Sequence, residues 1–221
     1  MDPLSMIEPA ILPFTGRTFE QFAEALDDEP KRDPFLIGLG HYSRTGKDAF
    51  CRLLTEELAG HNITASRVAF ADAVKQVAYQ LFSWAGLREA YFYETHPGER
   101  SSKLPRAGLT PVEIWVAVGN RMRDVYPDVW FNIALNELPA SQVAIITDVR
   151  FPNEVAAIKE RGGKVLKIVR PGVEPLPTDS DRALLGYDEW DGVINNNRGV
   201  DDLRAYAQTW AKLIQERIIE Q

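Results

Sequence analysis

The chain of 221 residues has one cysteine, Cys51, so no disulfide can form within it. A single thiol early in a helical pattern is expected to be a buried, inert side chain rather than a nucleophile. Such sparing cysteine use suits a reducing, cytoplasmic compartment. Histidine is scarce too: His41, His61 and His96 are too scattered to suggest an imidazole metal centre. No run approaches the ~18 apolar residues of a membrane span, and residues 1–9 lack the basic-then-apolar order of a signal peptide. No membrane partner is therefore expected. Positive charge is in deficit, with 25 Lys and Arg against 32 Asp and Glu and a formal net charge of −7. That balance argues against a protein that coats duplex nucleic acid, which needs a basic face. Small anionic ligands stay open, because a few local Arg and Lys can hold a phosphate in an acidic chain.

What is present is an ordinary globular composition, 45% hydrophobic and 26% charged, long enough to bury a core without a metal or disulfide staple. Residues 1–34, rich in Pro, Asp and Glu, read as an N-terminal extension with one short helix at 18–26 capped by Thr18. This extension is expected to pack on the sheet edge, to form a homodimer contact or to be partly disordered. From residue 35 the pattern changes to short apolar runs without polar alternation, the mark of strands buried on both faces. Strands are expected at 35–39, 65–70, 143–146, 164–169 and 191–195. Helices are expected at 47–59, 71–85, 129–138, 153–161 and 200–219. Thr110-Pro111-Val112-Glu113 combines a cap, a first-turn proline and an acid, and starts a further helix running to about residue 123. Residues 88–109 read as a long, mobile connection, and 88–138 as a substrate-binding or lid insertion. Strands alternating with helices give an α/β fold around a parallel sheet covered on both faces.

The strongest local signal is Gly38-Leu39-Gly40-His41-Tyr42-Ser43-Arg44-Thr45-Gly46-Lys47-Asp48, directly after the first buried strand. Backbone N–H groups of a Gly-containing turn and a helix N-terminus together favour an anion. Gly46 would let the backbone approach phosphates and Lys47 would reach their oxygens. The spacing departs from the usual pattern. Five residues separate Gly40 from Gly46, which places His41 where a glycine is expected. Asp48 replaces the usual hydroxyl residue that ligates Mg²⁺, a task a carboxylate performs directly or through water. The bland alternative is an ordinary strand–turn–helix junction.

A second constellation, Thr147-Asp148-Val149-Arg150-Phe151-Pro152-Asn153-Glu154, puts an acid at the carboxyl end of a buried strand. Ligands bind beyond such ends, so Asp148 and the phosphate loop should share a crevice, with Arg150 suited to bidentate phosphate contact. Alternatively, Asp148 pairs with Arg150, and Asn153 and Glu154 cap the next helix. Asp72 and Lys75 follow another strand-to-helix junction; Asp72 either contacts a substrate sugar or base or caps the helix. Arg121 and Arg123 end a helix, as dipole complements or as an acceptor clamp, with Arg123 preferred. Residues 100–106, including Arg106, form a basic island that could close over phosphates. Trp115, Trp130 and Phe131 fall at helical spacing and read first as core, with Trp115 kept as a substrate-contact candidate.

These segments occur in a telling order: Gly-His-Tyr-Ser-Arg-Thr-Gly-Lys-Asp, Phe-Ala-Asp-Ala-Val-Lys, Asp-Val-Arg-Phe-Pro-Asn-Glu, Val169-Arg170-Pro171-Gly172 and Ile194-Asn195-Asn196-Asn197. The succession resembles the phage-type deoxynucleoside monophosphate kinases of the P-loop nucleoside monophosphate kinase superfamily, over about residues 35–215. The resemblance implies a five-stranded parallel sheet, ATP with Mg²⁺ as donor, and a deoxynucleoside monophosphate acceptor. By the same likeness Lys47 and its loop (His41, Arg44, Thr45, Gly46) would hold the ATP phosphates. Asp48 and Asp148 would serve the metal, and Arg150 and Arg170 would contact phosphate or adenine. Asn196 and Asn197 would lie against the adenine. A dephospho-coenzyme A kinase and a non-catalytic nucleotide-binding module are the competing expectations. A DNA-end kinase is weakened by the acidic balance.

Overall fold

A computed structural model describes residues 33–136, 138 and 140–219. The helix expected at 18–26 lies outside the described residues.

Five strands form one wholly parallel sheet in the order β2-β3-β1-β4-β5. They are β1 (Phe35–Gly40), β2 (Ala65–Val68), β3 (Val143–Val149), β4 (Lys164–Val169) and β5 (Gly192–Asn195). The helices are α1 (Lys47–Gly60), α2 (Phe70–Phe82), α3 (Ala90–Thr95), α4 (Pro111–Val125), α5 (Val129–Asn136), α6 (Pro152–Glu160), α7 (Asp179–Arg182) and α8 (Val200–Ile219). The continuous apolar runs are explained by burial on both faces, with alternate residues serving opposite cores. Leu36, Ala144, Ile146 and Val165 belong to the core that includes Phe70, Ile114, Trp130 and Phe131. Ile37, Leu39, Ile145, Leu166 and Ile168 belong to the core that includes Phe50, Leu54, Leu203 and Ile214, on α1 and α8.

β1 is central, pairing with β3 on one side and β4 on the other. The chain therefore crosses over β1 between β3 and β4, and the carboxyl ends of these three strands open into one crevice, where ligands of open α/β sheets bind. Gly40, the last residue of β1, lies against the indole of Trp190; a Cβ there would come 2.5 Å from the ring. Glycine is thus required where Trp190 closes over the strand end.

Four expectations are corrected. β2 stops at Val68 rather than 70, because Phe70 already begins α2, its N–H taken by the Asp148 carboxylate 78 residues away. The helix expected at 71–85 gives way after Phe82 to a 3-10 turn, Ser83–Ala85, ended by Gly86 at φ 98°. β3 continues to Val149, its polar Thr147 buried with the hydroxyl donated to the Val68 carbonyl at 3.3 Å. The connection at 88–109 is anchored: it contains α3 and a 3-10 turn, Pro97–Ser101, and it buries Tyr93 and Leu104 in the core. No apolar periodicity betrays so short a helix. The one-turn α7 was not anticipated. Cys51 is buried in α1, and burial pushes its thiol up to about 11, consistent with an inert side chain. Among the described residues no helix is long and apolar enough to cross a membrane.

Candidate active site

Residues 41–46 connect β1 to α1 as an irregular loop. Three of them have left-handed backbone: His41 at φ 94°, Arg44 at φ 64° and Gly46 at φ 107°. Gly46 caps α1 without any side-chain hydrogen bond, so the first N–H groups of the helix keep their capacity for an external anion. A Cβ at Gly46 would come 2.6 Å from Nδ2 of Asn196, whose amide donates to the Thr45 carbonyl at 2.8 Å. The loop after β5 thus braces the 41–46 loop from behind. Thr45 is fully buried and donates its hydroxyl to the Tyr42 carbonyl at 3.1 Å. Lys47 is buried, its ammonium donating to the carbonyls of His41, at 3.3 Å, and Tyr42. Burial, and then the Arg150 charge, lower its pKa to about 8.

His41 resolves the irregular spacing. It takes the left-handed conformation that a glycine would take at this position. It is held there by stacking on Tyr42 (3.7 Å between rings) and by Nδ1–H donation to the Ile168 carbonyl at 3.1 Å. Burial, then the Lys167 charge, lower its pKa to about 4. In the unfolded chain the imidazole takes up a proton near pH 6.5, while in the folded chain it stays neutral down to about 4. Stability from this residue is therefore present above pH 6.5 and lost as pH falls toward 4. His41→Gly should flatten the melting-temperature profile between pH 6.5 and 4. Parallel profiles for variant and parent would refute this assignment.

At the end of β3 the Asp148 carboxylate accepts from the N–H groups of Phe70 (2.9 Å) and Ala71 (2.8 Å), capping α2 from across the sheet. Burial raises its pKa, and those two bonds and the Arg150 charge oppose the rise. Asp148 does not pair with Arg150 through a hydrogen bond. Instead the Arg150 guanidinium donates to Asp181, to the His41 carbonyl (2.9 Å) and to Ser43 Oγ (3.2 Å). Glu154 reaches back to the N–H groups of Arg150 (2.7 Å) and Phe151 (3.1 Å), capping α6. It also accepts from Arg123 at 3.4 Å, and burial raises its pKa to about 7. Asn153 donates to the Asp128 carboxylate at 2.8 Å, tying α6 to the turn before α5. Arg123 lies over the Phe151 ring at 4.6 Å, and its Nε is buried without a partner among the described residues.

Two cavities of about 500 Å³ adjoin here. The first is lined by the 41–46 loop and the start of α1 (Ser43, Arg44, Gly46, Lys47, Asp48) together with Arg67, Asp72 and Arg170. The second is more apolar, lined by Val74, Trp115, Val116 and Phe151 with Arg123 and residues 177–180. Lys75, Asp148 and Arg150 line both.

The structure therefore brings most of the sequence-derived candidates together, and it corrects others. Asp72 is not the N-cap of α2; it pairs with Arg67 (2.7 Å) and Lys75 (3.3 Å) at the cavity wall. Trp115 is only partly buried and lines the second cavity, whereas Trp130 and Phe131 are core. Arg106 donates to the Trp84 carbonyl at 3.0 Å, and Arg121 pairs with Asp124 at 3.2 Å; neither lines either cavity. Asn196 stands behind Gly46, and Asn197 is exposed with its N–H on Asp202 (3.1 Å). Sequence reasoning missed Asp181 and the cavity wall at 177–180. Thr178 capping the Asp181 N–H was the available signal for α7, but nothing local points to Arg150.

No family model matches the chain. It is similar, at 28% identity over 184 residues, to a protein of Acanthamoeba polyphaga mimivirus named "Putative deoxynucleotide monophosphate kinase". The match covers 76% of this chain and 91% of that protein. The α/β architecture, a five-stranded parallel sheet flanked by helices, is consistent with a P-loop kinase fold.

Proposed function

We propose that this chain is a deoxynucleoside monophosphate kinase, transferring the γ-phosphoryl group of ATP to a dNMP to give dNDP and ADP. One observation carries the reading: a cavity at a phosphate loop adjoins a second, partly aromatic cavity, and both share Lys75, Asp148 and Arg150. Two phosphorylated ligands can meet only where such walls are common. The similarity to the mimiviral protein, over most of both chains, supports the same chemistry.

Phosphoryl transfer needs positioning and charge neutralisation more than covalent help. An oxygen of the acceptor phosphate attacks in line, and no side-chain nucleophile is required. In this reading the loop N–H groups, Lys47, Arg44 and Arg170 hold the ATP phosphates. Arg123 and Lys75 hold the acceptor phosphate, and the base lies against Trp115 and Phe151. Arg150 stands between the two. Residues 88–138 form the acceptor-binding insertion on a domain spanning 35–221. In the basic island at 100–106, Arg100 and Arg106 donate to the Tyr93 and Trp84 carbonyls.

The carboxylates fit Mg²⁺. That ion is usually held by one or two carboxylates, with water and substrate phosphates completing its shell. Exposed Asp48, beside Lys47, and Asp148 both line the first cavity. No group of three or more candidate ligands occurs among the described residues. With both oxygens of Asp148 already accepting N–H groups, Asp48 suits direct contact and Asp148 contact through water. The ion, when bound, neutralises charge on the β- and γ-phosphate oxygens.

The test is ADP release from ATP and Mg²⁺ across a panel of ribo- and deoxynucleoside monophosphates, with dephospho-coenzyme A included. Acceptor-dependent ADP formation with at least one dNMP is expected. Stimulation by dephospho-coenzyme A alone, or none at all, would overturn the proposal.

A further inference from the structure

The most elaborately held charge near the site is one that the mechanism above does not use. Asp181, on α7 in the segment between β4 and β5, is 5% exposed. Its carboxylate accepts the Ser43 N–H (3.2 Å to each oxygen), the Ser43 hydroxyl (2.9 Å), the Leu176 N–H (3.0 Å) and the Arg150 guanidinium. Arg150 in turn donates to the same Ser43 Oγ, closing a ring of Asp181, Ser43 and Arg150. The ring joins three separate parts of the chain: the phosphate loop, the end of β3, and a segment whose residues 177–180 wall the second cavity.

Resting on the kinase reading, we propose that Asp181 is a positioning residue of the transfer reaction, fixing Arg150 at the boundary between the two cavities. Arg150 and Lys47 are both cations at the phosphate loop, and Arg150 lowers the pKa of Lys47. Without a carboxylate between loop and guanidinium, that repulsion would drive the flexible arginine outward. Asp181 offsets it, and its several bonds leave Arg150 few alternative rotamers. Burial pushes the Asp181 carboxyl up, but the bonds from Leu176 and Ser43 and the Arg150 charge outweigh burial and hold it below the usual carboxylate range. It stays ionised throughout the neutral range. A rigid guanidinium aimed at the transferring group stabilises developing charge without reorganisation, so the benefit should fall on kcat more than on KM.

The experiment is a double-mutant cycle on the full chain with Asp181→Asn, Arg150→Ala and the pair. It reads kcat and KM with the best acceptor, together with the melting temperature. Each single variant is expected to lose about 10- to 100-fold in kcat, with KM for ATP changed less than about threefold. In the Arg150→Ala background, Asp181→Asn should change kcat by no more than about twofold, since coupled residues are not additive. A lower melting temperature with kcat unchanged would overturn the proposal, as would an equal loss in both backgrounds. Should Asp181→Asn fail to fold, Ser43→Ala removes the hydroxyl of the ring and keeps both charges; unchanged kcat there would also overturn it. A crystal structure of Asp181→Asn separates this proposal from the kinase reading. Arg150 is expected to leave Ser43 Oγ and the His41 carbonyl, whatever the panel shows, and an unmoved guanidinium refutes positioning. An inactive parent with a displaced Arg150 would instead sink the kinase reading alone.

Discussion

Lys47→Ala is expected to lower turnover by about 10²- to 10³-fold, the usual loss when one preorganised electrostatic stabiliser is removed. The fold should survive. The ammonium is buried at the mouth of the loop on two carbonyls, and its pKa is about 8, lowered first by burial. A lysine pKa lowered on folding makes the folded chain bind its proton less readily than the unfolded chain between about pH 8 and 10.5, so the charge opposes folding at pH 7. Removing it should leave the melting temperature unchanged or higher while activity collapses, the trade-off expected at a site arranged for function. The same pKa predicts an alkaline fall in kcat/KM near pH 8 for the parent, since that parameter reports the free enzyme. Normal turnover in the variant would refute the assignment of residues 40–47 as a phosphate loop.

Asp148 joins two tasks that a pair of substitutions can separate. Asp148→Ala removes the carboxylate that caps α2 at Phe70 and Ala71. Losing a cap costs about 0.5–2 kcal/mol, which for a domain of this size lowers the melting temperature by several degrees. Turnover should fall by about 10²-fold or more as well. Asp148→Asn keeps one acceptor oxygen for the helix N–H groups, so much of the stability should return while activity stays low. Paired melting curves and ADP-release rates on the two variants decide the matter. A fully active Asp148→Asn would show that the carboxylate is only a helix cap and would remove it from the proposed metal site.

Where the decisive interactions span a few residues, the sequence was enough. The buried runs of β1 and β4, the α4 capping box on Thr110 and Glu113, and the amphipathic α8 are local patterns, and the structure has them where expected. The strand–loop–helix context proposed as the phosphate loop was legible for the same reason, as a Gly-Lys pair between a buried strand and a helix. Even the odd placing of His41 was visible, although its φ of 94° was not.

The rest depended on which strands lie side by side. β2 ends early because a carboxylate 78 residues away caps α2. Arg150 was a plausible phosphate ligand from its place after β3, but its partner Asp181 lies on a one-turn helix with no apolar periodicity. Arg123, preferred over Arg121, lines the second cavity, whereas Arg121 and Arg106 are held by Asp124 and the Trp84 carbonyl and line neither cavity. Residue type, hydrophobic period and capping are properties of neighbours along the chain, so the sequence alone determined the five strands and the longer helices, and marked the 40–47 loop as the anion-binding candidate. Only the tertiary structure decided which charges meet, because the sheet order brings the ends of β1, β3 and β4 together, and ion pairs and cavities form between groups that no local pattern connects.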